Sequence, residues 1–433
     1  MKHILSLLCI VLIVPLSLRA QQAPAYALTN VIIHDPGSEP YSGHIVWRNG
    51  TITHIGPRVQ VPFDARITDA GDSLHVYPGF IDGASVWGTP EPPRRLDRPA
   101  DPGNSGYERA GIRTTRIPAG QLNTDDKIPS QMFNLGFTLA AVGFQDGMLP
   151  GQVDVFKLGS DKMTLYSSNL GQKFQLVGAS GAYPNTLMGI MTRFRQLLED
   201  GMALQHHQRL YNTNPTQYEA PERDLVMEAL FPVINKNKPF FITADSKDDI
   251  QRLFKLQNEY GFDMVLVSAR QAHTMSSEIK KRGIPVIASL NISEKPVESV
   301  DSTHTQTQEE IEFFHKRVEA WTAERDNILS LIKAGVRVGL TTGGIKSTDF
   351  RKKLNHLIDS GLTENQITAL LTTDTAAILN VNSTVGSIKQ GYNASFVVLD
   401  RSIMDEKSKV VYVSSGGHLI NVNGNTPSGR GQR

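Results

Sequence analysis

The 433-residue chain has one cysteine, Cys9, and almost no net charge, with 44 Lys and Arg set against 43 Asp and Glu. A lone cysteine excludes a disulfide framework and a thiolate metal centre. Balanced charge excludes a dedicated nucleic-acid binder, because neutralising a phosphate backbone takes a clustered excess of Lys and Arg. Only short basic runs occur, such as Arg94, Arg95 and Arg98, which lie among prolines. No internal repeat is found, which excludes solenoids and propellers. Long apolar runs are also missing: a bilayer span needs about 20 residues, and the apolar run from Ile4 to Leu18 falls short of it and is interrupted by Pro15.

That run follows Lys2 and His3 and ends at Arg19 and Ala20, the layout of a secretory signal peptide with cleavage expected after Ala20. Removing residues 1–20 takes away Lys2, Arg19 and no acid, so the net charge passes from +1 to −1, and Cys9 goes with it. The sequence thus predicts an exported chain, periplasmic or secreted, free of thiols and without a membrane span. A thiol-free chain suits an oxidising compartment.

Residues 21–77 read as short strands broken by turns: Ala27 to Ile33, Gly43 to Arg48, and Thr51 to Ile55. The Asn49-Gly50 pair between two of them is a hairpin signal, since both turn positions need positive φ. From about residue 78 to 380 the texture changes to buried-type runs alternating with amphipathic helices, as in βα units around a parallel sheet. These runs are Phe80 to Ala84, Phe137 to Gly143, Phe240 to Ala244, Met264 to Ala269, Pro285 to Leu290 and Val336 to Thr342. Ile311, Phe314, Val318, Trp321, Ile328 and Ile332 form a helical stripe that Gly335 stops, and Thr363 with Gln366 makes a capping box. Residues 381–422 return to strand texture, and residues 423–433 read as a disordered tail.

Three segments give this order a family likeness. "TNVIIHDPGSEPYSGHIVWRNGTITHIG" followed by "ITDAGDSLHVYPGFIDGASVWG", together with "LTTDTAAILNVNSTVGSIKQGYNASFVVLD", resembles the amidohydrolase superfamily, and the middle, including "YPNTLMGIMTRFRQLLEDG", is similar to an exported bacterial branch of its imidazolonepropionase-like group. The resemblance implies an α/β fold: a (β/α)8 TIM-like barrel over residues 78–380, with a small composite β-sandwich built from residues 21–77 and 381–422.

The resemblance also implies divalent metal at the C-terminal end of the barrel. The ligands would be a His-x-His after the first strand, one His each after the fifth and sixth, and an Asp after the eighth. Imidazoles and a carboxylate hold the ion, which lowers the pKa of a bound water to about 7. Carried onto this chain, those positions fall on Ala84, Val86, Thr243, Ser268 and Thr342. Methyl groups offer no donor and a neutral hydroxyl binds zinc poorly, so no metal and no other cofactor is expected. His206 and His207 point about 100° apart on a helix and make a poor pair; His273 and His304 are the remaining histidines that could approach the mouth. "GASGA" at 178–182 and the Ser277, Lys280 pair lack an orienting partner for nucleophilic chemistry.

Ser85, Thr243, Ser268, Arg270 and Thr342 remain as a polar set at the strand ends. They read either as a site for a small anionic or amide-bearing ligand, or as hydroxyls that satisfy one another in a vacated cavity. Asp82 reads as a support for the strand end. The functional expectation is therefore an exported amidohydrolase-like protein without metal-dependent hydrolysis, which pairs with a metal-bearing relative or with itself, or binds a small molecule. The alternative is a hydrolase of carbon–nitrogen bonds with an unrecognised or metal-free site. The exported chain should begin at Gln21 when read by N-terminal sequencing; an exported protein that retains Met1 removes the signal-peptide assignment.

Overall fold

The computed structural model describes residues 23–92, 97, 99–298 and 307–422. The expected signal segment, Arg94, Arg95, Arg98, His304 and the expected disordered tail lie outside the described residues. Four strands open the chain: β1 (Tyr26–Ile33), β2 (Tyr41–Arg48), β3 (Thr51–Gly56) and β4 (Arg66–Pro78). Eight follow: β5 (Phe80–Ser85), β6 (Phe137–Val142), β7 (Gly151–Leu158), β8 (Met163–Gln175), β9 (Phe240–Ala244), β10 (Met264–Ser268), β11 (Val286–Ser289) and β12 (Val338–Thr341). The last three are β13 (Phe396–Leu399), β14 (Val410–Ser415) and β15 (His418–Asn421).

The terminal segments form one seven-stranded sheet in the order β15-β14-β13-β4-β1-β2-β3. As expected, the two ends of the chain build one β unit, here hydrogen-bonded as a single sheet. β4 is 13 residues long and pairs with β1 on one edge and β13 on the other, so the two ends of the chain join edge to edge. The hairpin turn forms as expected, with φ of 52° at Asn49 and 75° at Gly50. Gly50 must also lack a side chain for packing, because a Cβ there would sit 2.8 Å from the Gly416 carbonyl. Trp47 Nε1 donates to the Gly417 carbonyl at 2.8 Å and fixes this meeting of the two hairpins.

β5 to β12 form an eight-stranded sheet in sequential order, a mixed α/β array of TIM-like type. Pairing is parallel between β5 and β6 and from β8 to β12, but antiparallel on both sides of β7. Strict βα alternation therefore fails in one place. β7 and β8 are joined by a short turn in which Gly159 N donates to Lys162 O, and such a hairpin needs no crossover helix. No backbone ladder joins β12 to β5 among the described residues.

Ile81, Leu139, Ala141, Val153, Val155, Phe241, Val265, Val267 and Ile287 pack together on the inner face. The outer face packs on helices. Helix Leu187–Thr213, capped by Thr186 Oγ1 accepting from Gly189 N, buries Ile190, Phe194, Leu197 and Leu198 along one stripe. Phe194 stacks on Phe174 of β8 with ring centroids 4.1 Å apart, and burying one such side chain is worth about 2–3 kcal/mol. The stripe from Ile311 to Ile332 divides at Asp326 into helices Gln308–Arg325 and Asn327–Lys333, and Gly335 ends it at φ 75°. The Thr363–Gln366 capping box is present.

Where the terminal sheet meets the eight-stranded one, buried His34 sits against Glu364. Its Nε2 is 2.8 Å from His75 Nδ1, its Nδ1 is 3.3 Å from a Glu364 oxygen, and its ring stacks on Tyr77. Burial outweighs the attraction of Glu364 and lowers the His34 pKa from 6.5 to about 4. The folded state therefore resists protonation. The resulting stabilisation is complete above pH 6.5 and is lost as pH falls from 6.5 toward 4. With the partial solvent contact of the site discounted, the loss should be about 2 kcal/mol. Chemical unfolding from pH 7.5 to 4.5 should show this slope and a weaker one in His34→Phe; equal slopes would assign the acid sensitivity elsewhere.

Candidate functional site

The C-terminal ends of the parallel strands gather at one mouth, and a single buried carboxyl organises the gap where the ladder is missing. Asp82 of β5 is fully buried. Its Oδ1 accepts from Ala84 N at 3.0 Å and Thr341 Oγ1 at 2.7 Å, and its Oδ2 from Thr342 N at 2.9 Å and Thr342 Oγ1 at 2.6 Å. Thr341 Oγ1 also lies 2.6 Å from the Ala84 carbonyl. Burial pushes the Asp82 carboxyl above the ordinary carboxylate range against these hydrogen bonds, which favour the charged form. β5 and β12 are thus tied by side chains in place of a ladder.

The expected polar set does not converge. Thr342 is spent on Asp82. A register shift between Asp82 and Ser85 alters the alternation of β5. Ser85 then pairs with Val142, which packs in the outer core, and its buried hydroxyl has no hydrogen-bond partner. Ser268 pairs with Ala244 and Ala288, likewise outer-core residues, and turns out of the strand at φ 71°, with Ala269 following at 50°. Two successive left-handed residues are costly without glycine, and buried Asn327 braces them by donating to the Ala269 carbonyl at 3.1 Å. Arg270 is no free cation: it pairs with Asp245 at 3.1 Å and Glu324 at 3.7 Å. Only Thr243 keeps the inner face, in register with Val267 and Gln175.

A catalytic divalent ion does not fit this donor set. Ala84 and Val86 carry no donor atom, Thr342 and Asp82 satisfy each other, and Ser268 belongs to the opposite face. Nor does any group of three or more His, Cys, Asp or Glu able to hold a metal occur among the described residues. His207 Nε2 instead meets the Glu219 carbonyl at 3.0 Å, and the His273 backbone N–H donates to Asn327 Oδ1 at 2.8 Å.

Sequence reasoning missed the polar groups of β8. Lys173 is in register with Phe241 of the inner core and Gln175 with Thr243, so both face inward. Gln175 Nε2 donates to the Gln145 and Gly147 carbonyls at 2.7 and 2.9 Å, which fixes the loop after β6. In that loop Asp146 pairs with Arg113 at 2.7 Å and Arg116 at 2.8 Å. Lys173 reaches past Val153 of β7 to Gly143, the first residue beyond β6; a Cβ on Gly143 would lie 3.2 Å from its Cδ. Lys173 makes no hydrogen bond or ion pair among the described residues. Burial lowers its pKa from 10.5 to about 8, with Asp146 opposing. The available signal was the alternation of Lys173 and Gln175 around Phe174. Two clefts of about 280 and 260 Å³ lie away from the mouth, one lined by Phe80, Leu135 and Phe350, the other by His34, Asp35 and Glu364.

Residues 249–424 match the family model described as "Amidohydrolase family". An amidohydrolase from Thermotoga maritima MSB8 superposes with a TM-score of 0.74 at 21% identity, covering 91% of this chain and 99% of that one. A prolidase crystallised with N-methylphosphonate-L-proline gives a TM-score of 0.53 at 15% identity, with coverages of 92% and 99%. The A. niger ochratoxinase gives 0.51 at 13% identity, with 95% and 99%. No curated protein matches the chain.

Removing the Asp82 carboxylate leaves the Thr342 hydroxyl and the Ala84 and Thr342 backbone N–H groups without this acceptor, while the Thr341 hydroxyl keeps the Ala84 carbonyl. Asp82→Ala should lower unfolding stability by about 3 kcal/mol or more, and Asp82→Asn, which keeps one acceptor oxygen, by less. Denaturant titration measures both; an Ala variant as stable as the parent would show that the seam holds without this residue.

Proposed function

We propose that this chain, whose residues 249–424 match the amidohydrolase family model, is an exported member of that superfamily whose mouth captures a small organic ligand in place of metal-dependent hydrolysis of carbon–nitrogen bonds. The observation that carries this reading is the use of Asp82. The one carboxyl at the β5–β12 seam is buried and bonded four times over, while the flanking positions present methyls and hydroxyls. Such a set supplies neither the charge nor the lone pairs that a hydrolytic ion requires. Lewis-acid activation of water has no anchor among these residues.

Ligand capture is preferred to a purely structural pairing role for a second reason. Lys173 and Thr243 face the interior with no hydrogen-bond partner among the described residues, and a structural copy gains nothing from leaving an interior amine uncompensated. The two groups offer a cation and a hydroxyl to a ligand bearing a carboxylate or carbonyl, with Phe241 and Val267 as apolar walls.

The test has two arms on the purified full chain. After incubation with zinc or manganese and desalting, elemental analysis should find less than about 0.1 ion per chain, since retained binding needs a coordinated donor set. Thermal shift against N-acyl amino acids and cyclic amides should reveal a stabilising ligand at high concentration, with the shift reduced in Thr243→Val. About one retained ion per chain would overturn the loss of the metal site, and a panel without any shift would overturn ligand capture.

A further inference from the structure

Lys173 is the unusual group in the described structure. It stands on the inner face of β8, its stem lies against Gly143 at the mouth end of β6, and its amine has no acceptor among the described residues. The side chain is half-buried, so the amine is drawn partly out of water with no carboxylate beside it to compensate. Asp146 is the charged group that bears on it, but its two oxygens are taken by Arg113 and Arg116. The neighbouring elements offer neutral groups: Phe241 and Thr243 from β9, Val153 from β7, and Gly143 from β6. Lys157, packed against Gly416, shares the lack of a partner among the described residues but lies on β7 away from the inward positions of β8, whereas two other confined lysines are paired. Lys353 donates to the Ile292 carbonyl at 2.5 Å and to Glu294 at 2.9 Å, and Lys238 donates to the Asn169 carbonyl.

We propose that Lys173 is a reactive amine that condenses reversibly with a small aldehyde or ketone at the mouth. The proposal rests on ligand capture there and names its chemistry. Nζ, as the free amine, adds its lone pair to the carbonyl carbon while the carbonyl oxygen takes a proton, giving a carbinolamine. Loss of that oxygen as water leaves an imine, and addition of water returns both partners. No oxidant or reductant enters. Thr243, the next inward residue beyond the Phe241 level of β9, is placed to hydrogen-bond the oxygen as it changes from carbonyl to hydroxyl. Gly143 supplies the room for the lysine stem, which an added methyl would press.

A proton affinity lowered to about 8 supports this reading, because a substantial fraction of the amine is then unprotonated near neutral pH. An exposed lysine at its ordinary pKa of about 10.4 is almost wholly protonated there.

The experiment is reductive trapping of the full chain. Acetaldehyde and cyanoborohydride are added at pH 7.5, the ethylated peptides are quantified by mass spectrometry over time, and exposed Lys281 and Lys407 serve as internal references. Lys173 should be modified at least about ten-fold faster than either reference, and its rate should rise with pH around a midpoint near 8 rather than above 10. Thr243→Val should slow Lys173 several-fold and leave the references unchanged; Gly143→Ala should also slow it, with folding checked by circular dichroism. Modification of Lys173 at the reference rate or slower overturns the proposal. Metal analysis and non-covalent thermal shifts report on ligand capture independently: an inert Lys173 with a metal-free, ligand-stabilised protein defeats this inference alone.

Discussion

The fold depends on one buried carboxyl that does the work of a missing strand ladder. Eight strands run in sequential order from β5 to β12, and side chains bridge the two edge strands where Asp82 receives the Ala84 and Thr342 amides and the Thr341 and Thr342 hydroxyls. An open β edge would leave N–H and C=O groups unpaired in the interior. The chain meets that requirement with side chains. Leu340 N, which lacks a ladder partner, donates to Thr375 Oγ1 at 2.9 Å, and the Thr375 hydroxyl in turn donates to the Leu370 carbonyl at 2.6 Å. Threonine suits this task because one small residue both accepts and donates. A seam built this way fixes the mouth's geometry on one side and uses up the polar groups that lie there.

On the opposite side the antiparallel excursion of β7 has the contrary effect. It brings β8 into the sheet as a hairpin partner and sets the inward positions of β8 against β9. Because β8 alternates Gln172, Lys173, Phe174 and Gln175, the outward phenylalanine anchors to Phe194 while the inward residues are polar. The interior thus becomes asymmetric. The seam side spends its carboxyl and its two threonine hydroxyls on one another and leaves the Ser85 hydroxyl unpartnered, and the β8–β9 side keeps an amine and a hydroxyl without internal partners among the described residues.

Strand existence was legible wherever burial made a run continuously apolar, as in Met264 to Ser268, and the Asn49-Gly50 turn announced its hairpin through positive φ. β7 and β8 were not legible, because half of their residues face a polar mouth or solvent and β8 reads as a mixed sequence, "MTLYSSNLGQKFQ". That the two chain ends form one β unit was legible, but nothing local in residues 66–78 tells that β4 joins its two halves in one hydrogen-bonded sheet. At the site, position along the chain was legible and direction was not. Ser85 and Ser268 do stand at strand ends, yet the β5 register shift and the outer-face register of β10 turn them away from the interior. Alternation is a reliable guide to facing only while the ladder is regular. Arg270 shows a different limit, since Asp245 is distant in sequence and Glu324 more so, and their ion pairs exist only once the fold is formed.

These features bear on how a hydrolase fold could change its chemistry without losing its shape. In a metal site, histidines and carboxylates at the strand ends repel or leave lone pairs unsatisfied until an ion arrives, so the scaffold carries a local cost that the ion offsets. On the proposed reading, methyls and hydroxyls at those positions remove that cost, and Asp82 with Thr341 and Thr342 satisfies itself without an ion. Relief of this kind should make the mouth uniformly inert. Lys173 breaks the pattern, because it retains the desolvation cost on the side of the sheet that the seam does not reach. On the same proposed reading, a half-buried amine without an internal partner is explained by what it binds, and the chemistry of this mouth rests on an amine rather than on a metal.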